Sequence, residues 1–309
     1  MKTIYPSDVQ PQEFYRYMIG TIGPRPIAFA STIDAAGRVN LSPFSFFTIA
    51  GYNPPTLVFV PTINRHGHKK HTLLNLEEVG EVVINVVNYA MVEQMSLASA
   101  EFDRGVDEFK KSGFTALPAS RVRPPRVAES PASFECLVNQ IIPVGKQPDQ
   151  PETTPDEGRF DQPGAGYLVV CEVLVAHVQD AVLNQNGIID PHRLDLIGRM
   201  GADWYCRATG DALFEVARPS VGIGLDQIPV SIRTSAILSG NDLGKLGSVS
   251  VLPTADEIVG FRTTGVLNAL FDEARYGCQH LPDLLHLRAK QLLVENKVRE
   301  AWLTLLQAP

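Results

Sequence analysis

Cysteine is scarce in this chain: there are four in 309 residues, Cys136, Cys171, Cys206 and Cys278, and no two are spaced as C-x-x-C. That scarcity argues against a disulfide framework or a thiolate zinc site and fits small buried side chains in a reducing compartment. Long apolar runs are missing too. None approaches the roughly 18 residues that a membrane-crossing helix needs, and the opening MKTIYPSDVQPQEF has no apolar signal core, so a cytoplasmic location is expected. Positive charge is in deficit, with 27 Lys and Arg against 34 Asp and Glu for a net charge of −7. This argues against broad binding of nucleic acid or of acidic membranes. Two catalytic signatures are also absent. The string nearest to G-x-G-x-x-G, starting Gly222-Ile-Gly224, lacks its third glycine and any strand–helix setting, which disfavours a dinucleotide fold. No G-x-S-x-G marks a serine hydrolase. His66, His68 and His71 have no carboxylate or cysteine at ligand spacing, and read as a solvent-facing loop before a metal site.

What is present is a chain that is 44% apolar, enough to bury a core in one large or two moderate domains. Ile27 to Ile33 alternates as a strand, Asp34-Ala-Ala-Gly37 is turn chemistry, and Val39 to Leu41 resumes extended structure, which together predict a hairpin. Thr56 to Val60 is a continuous apolar run between prolines, expected to be a strand buried on both faces. Further strands are expected over Glu81 to Val87, Ala132 to Pro143 and Tyr167 to Gln179. Helical character is expected near 12–18, from Thr72, and within 90–103 and 106–112. The Pro-, Gly- and Asp-rich stretch from Gly145 to Gly166 reads as an exposed loop. Many strands with local hairpins and few strand–helix–strand alternations predict a mainly β protein, a closed antiparallel barrel with peripheral helices.

Two stretches carry chemistry. After the hairpin turn come Asn40, Ser42 and Ser45 among Phe44, Phe46 and Phe47, and hydroxyls and amides beside flat rings suit a ligand that is part aromatic and part phosphate or sugar. The plain alternative for each phenylalanine is core packing. Downstream, Lys69 and Lys70 with Thr72 open a helical pattern, and a helix start beside a lysine is a ready anion site. Its plain alternative is a solvated helix start.

These stretches, RPIAFAST with its Gly-closed turn, NLSPFSFF and the KHT at 70–72, resemble the FMN-binding split-barrel proteins, in particular the flavin reductase-like group that includes flavoredoxins. The resemblance continues through GVDEF (105–109), RPPRVAESPASFEC (123–136) and DPHRLDLIGRMGADWYCR (190–207), and covers about residues 14 to 210. It implies a Greek-key antiparallel split barrel that binds FMN. Ala30, Ser31 and Thr32 with Asn40, Ser42, Phe44 and Phe46 would border the flavin ring, partly through backbone amides. Ser45, Lys70 and Thr72 would hold the phosphate. His71 stands where the family usually has Asp, either capping the helix start or meeting the phosphate as a cation. The resemblance implies an NAD(P)H-dependent flavin oxidoreductase with NADH or NADPH as co-substrate, a flavoredoxin-type electron carrier, or a non-catalytic FMN-binding protein. Its partners would be a small-molecule substrate or a redox partner protein, and a second copy of the chain in a homodimer. Hydride transfer through a flavin needs no protein acid or base, so no catalytic residue is nominated.

From residue 211 the pattern changes, so residues 1–210 are expected to form the flavin domain and 211–309 a C-terminal extension. Gly, Pro and Asn punctuate its first part, which reads as loop-rich. Apolar positions between Leu281 and Gln307 then recur at helical spacing and predict one long or two consecutive helices.

Overall fold

A computed structural model of the chain describes residues 1–144, 162–277 and 279–308; the expected loop from Gly145 falls outside the described residues as far as 161. The chain divides into two compact units, Met1–Phe214 and Glu215–Pro309.

The first unit is built on seven strands: β1 (Ala28–Ile33), β2 (Val39–Phe44), β3 (Phe47–Tyr52), β4 (Pro55–Phe59), β5 (Glu81–Asn85), and, after two short strands β6 (Ala116–Leu117) and β7 (Arg126–Val127), the long pair β8 (Ala132–Pro143) and β9 (Tyr167–Val178). They form one sheet in the order β2-β1-β5-β8-β9-β4-β3, every pair antiparallel. The β6 and β7 strands pair separately, as do β10 (Ile197–Arg199) and β11 (Tyr205–Arg207). The helices are α1 (Pro11–Thr21), α2 (His71–Val79), α3 (Val92–Leu97), α4 (Glu108–Ser112) and α5 (Pro191–Leu194).

Sequence and sheet order together require a barrel. β2 and β3 are the opposite edges of the sheet, yet only Ser45 and Phe46 separate them in the chain. The three steps from Phe44 to Phe47 span at most about 11 Å, so the sheet must curl until its edges meet. Val60 N donates to Phe46 O at 2.9 Å and so prolongs the β3–β4 pairing, while β2 and β3 form no ladder with each other. The barrel is therefore split along that seam and not closed by hydrogen bonds all the way round.

The β1–β2 turn forms because the Asp34 carboxylate organises it. It accepts from Ala36 N (3.0 Å), Arg38 N (2.9 Å) and Arg38 Nε (2.6 Å), while Gly37 supplies the φ of +80° that side chains resist. Strand alternation then sorts the core. Ala28, Ala30 and Phe44 face the barrel interior with Phe59, Val82, Ile84, Val169 and Leu76 of α2. Phe29 and Leu41 point the other way, against Met91, Met95 and Phe109. Both faces of β1 are thus covered, which is why its burial is continuous. β4 is different: Leu57 and Phe59 are buried while Thr56 and Val58 are half-buried. The expected burial on both sides fails because the outer face of β4 is only partly covered.

The second unit is all helical: α6 (Val230–Arg233), α7 (Gly240–Gly247), α8 (Ala255–Thr263), α9 (Asn268–Tyr276), α10 (Leu281–Val294) and α11 (Val298–Leu305). The C-terminal pattern resolves into two consecutive helices, broken at Asn296 with φ 58°. The first part of the unit carries no helix over 215–229 and then only the short α6 and α7, with loops around them. Ser239 with Asp242, and Thr254 with Glu257, make reciprocal capping boxes that start α7 and α8, a signal worth about 1 kcal/mol each. Trp302 fills the centre of this unit's core with Leu246, Leu292 and Leu293, its indole donating to Leu246 O at 3.0 Å. No helix among the described residues is long and apolar enough to cross a membrane.

Candidate functional site

A pocket of about 310 Å³ opens where β2, the first turn of α2, the segment 64–70 and the segment 98–104 converge. Its electrostatics begin with α2. Lys70 is the residue before the helix, extended at φ −65° and ψ 148°, and no side chain caps the first turn. The first-turn N–H groups are therefore available to an outside acceptor, at the positive end of the helix dipole. Lys69 pairs with Glu77 at 2.7 Å and lies over the Tyr167 ring. Lys70 makes no ion pair among the described residues and lines the pocket.

Side chains hold this floor in register. Asn40 on β2 donates through Nδ2 to Thr72 Oγ1 at 2.9 Å, and both are buried. Asn75, one turn on, donates to Thr32 Oγ1 of β1 at 3.1 Å. α2 is thereby hydrogen-bonded to two strands through its polar face while Leu76 enters the barrel core. Glu108, at the start of α4, accepts from the Leu41 amide on the open edge of β2 at 3.1 Å. Burial pushes its carboxyl above the usual range. His71 is held below the ordinary imidazole value, first by burial and then by the positive charges of Arg104 and Lys70. Arg104 in turn pairs with Glu78 of α2, and Arg65 pairs with Glu101 at 3.1 Å across the two rim segments.

Of the residues expected from sequence, the fold brings Asn40, Ser42, Lys70, His71 and Thr72 to this pocket. Ala30 and Ser31 lie fully buried in mid-sheet with β2 on one flank and β5 on the other; their amides belong to ladders and have no open edge. Thr32 is tied to Asn75. The Phe44 ring faces the core, 5.4 Å from the Phe59 ring, which is its plain reading. Ser45 and Phe46 sit half-buried at the β2–β3 seam, with Tyr15 of α1 edge-on to Phe46 at 6.4 Å. His71 is the first helical residue and not the cap, so the capping role is corrected. Sequence reasoning passed over Glu108, Arg104 and Glu101. Glu108 lay inside the GVDEF match, but nothing in that string says that its carboxylate would reach a strand edge 67 residues away.

The description "flavin reductase like domain" fits residues 21–191, more than half of the chain. Among solved structures, the chain is similar to component B of nitrilotriacetate monooxygenase from Bacillus cereus (25% identity, TM-score 0.61, 70% of this chain and 98% of that one). It is also similar to the 2-nitrobenzoate 2-nitroreductase NbaA of Pseudomonas fluorescens (26%, TM-score 0.56, 72% and 100%). A chain with a split barrel domain from Shewanella frigidimarina (23%, TM-score 0.55, 69% and 95%) matches at the level of the fold. The split seam, the single curled antiparallel sheet and the span of that domain match lead to one conclusion: the chain belongs to the flavin reductase-like family.

Proposed function

We propose that the protein binds FMN at the start of α2 and works as an NAD(P)H-dependent flavin oxidoreductase, passing a hydride from NADH or NADPH to a small-molecule acceptor or a redox partner protein. The observation that carries this reading is an uncapped helix start beside Lys70, a cation without an ion pair among the described residues, in a pocket floored by Thr72. That set suits a phosphate: helix-start amides, one ammonium and a hydroxyl. Thr72 has its acceptor side occupied by Asn40, which leaves its own proton to donate outward. Ser42 adds a second hydroxyl at the pocket wall. When bound, FMN supplies the ring that accepts and releases hydride; the residues here bind, orient and shield it. The named nitroreductase among the similar structures supports an enzyme over a passive carrier.

The test is a purified-protein absorbance scan followed by anaerobic titration with NADH and NADPH. Loss of the flavin band within the turnover time supports the reductase. A yellow protein inert to both nucleotides makes it a carrier, and failure to bind FMN at all overturns the reading.

The same reading includes a homodimer. The edge strand β3 exposes Ile49 (73%) and Tyr52 (93%) beside an apolar cleft of about 700 Å³ that includes Leu57, Phe134 and Leu174, and a twofold partner would cover such a face. Light scattering should report about twice the 33.8 kDa chain mass; a stable FMN-loaded monomer defeats it.

A further inference from the structure

A second cleft, of about 450 Å³, lies between the β6–β7 pair and the ends of β8 and β9. His177 lines its wall and is bonded from behind by a buried carboxylate. Glu135 is fully buried, and its two oxygens receive Ser120 N (2.8 Å), Ser120 Oγ (2.9 Å), Arg121 N (2.6 Å) and His177 Nε2 (2.6 Å). These donors hold the carboxyl at about 2, against the opposing effect of burial. It is ionised near neutral pH and accepts only, so Nε2 of His177 must carry the hydrogen. Nδ1 is the ring nitrogen that Glu135 leaves unengaged.

The polar groups around the cleft are otherwise largely spoken for. Gln179 donates to Ala128 O and Ser130 O, Ser130 donates to Val86 O and Ala132 O, and Ser133 donates to Asn85 Oδ1. Two groups are left over. One is His177 Nδ1, for which no partner is seen among the described residues. The other is the guanidinium of Arg126, half-buried, which makes one long bond from Nε to Pro118 O (3.3 Å) and no ion pair among the described residues. This guanidinium lines the cleft and is open to an anionic partner. The remaining wall is apolar, with Leu117, Val127, Ala176 and Val178.

We propose that this cleft is a second ligand site, separate from the pocket at α2, which takes an organic acid: the carboxylate on Arg126 beside His177, the apolar body against Leu117, Val127 and Ala176. The volume suits a small molecule, and the forked guanidinium suits a carboxylate. The site does not rest on the flavin reading, because none of its residues lines the pocket at α2.

The experiment is a titration of the isotope-labelled full chain with benzoate, followed by NMR on backbone amides and the His177 ring, with benzyl alcohol as the uncharged control. Saturable shifts confined to the Arg126, His177 and Gln179 region are expected, with little response to benzyl alcohol. Arg126→Gln should weaken benzoate at least about tenfold, the loss of one charge-assisted contact. His177→Gln, whose amide still offers Glu135 a donor, should also bind benzoate more weakly while keeping the fold. The idea is overturned by any of four results: shifts that never saturate, equal binding of benzyl alcohol, undiminished binding by Arg126→Gln, or shifts centred on Lys70 and His71 instead.

Discussion

Asn40 and Thr72, 32 residues apart, meet through a buried hydrogen bond of 2.9 Å that joins the open-edge strand β2 to the first turn of α2. The bond sets the Thr72 hydroxyl so that its proton points away from Asn40. Replacing Asn40 by Ala removes the donor and leaves the Thr72 oxygen buried and unpaired. A loss of about 1–3 kcal/mol in stability is expected, read by thermal or urea unfolding, together with weaker FMN binding. Unchanged stability would mean that the bond contributes nothing to holding α2 on the sheet.

Lys70 is the pocket cation without an ion pair among the described residues. Lys70→Ala should cost one charge-assisted contact, roughly ten- to hundredfold in FMN affinity by fluorescence titration. Because no carboxylate partner is orphaned, thermal stability without FMN should hardly move. Wild-type affinity in this variant would remove Lys70 from the phosphate site.

His71 begins α2 and is kept neutral by burial and by Arg104 and Lys70. An aspartate there meets the same two cations and the positive helix end, so His71→Asp should stabilise the flavin-free protein by about 0.3–1 kcal/mol. FMN affinity should stay within about threefold, a change of under 1 kcal/mol. Weakening by tenfold or more, larger at low salt, would show instead that His71 donates to the phosphate.

Glu135 predicts the acid limb of stability. Its folded-state value of about 2 lies below the ordinary 4.5, so its contribution is present in full above the unfolded value and is lost as pH falls from about 5 toward 2. Glu135→Gln opposes an amide nitrogen to donors that need an acceptor, His177 Nε2 among them. It should cost about 1–3 kcal/mol at pH 7 and flatten the slope of melting temperature between pH 5 and 3. A variant with the wild-type slope would assign acid sensitivity to other carboxylates.

Much of this protein follows from local rules. The Asp34 to Gly37 turn, the alternation of β1 and β2, and the strands over 132–143 and 167–178 were legible because turn chemistry and a period of two residues act within a few positions of themselves. So was the helix start just after Lys70, since the lysines and the helical pattern are neighbours in sequence. The tertiary structure decided what depends on who faces whom. Phe44 looked as ready for a ligand as Ser42, and both lie on one face of β2, but the far end of the strand sets the Phe44 ring against Phe59 while Ser42 lies at the pocket wall. Ala30 and Ser31 gave up their edges because β5, more than fifty residues on, pairs beside them. Glu108, Arg104 and the Glu135–His177 pair became visible only when separate strands and loops converged. Charge and hydrogen-bond partners reached across 40 or more residues leave no periodic trace in the chain; only folding brings them to one place.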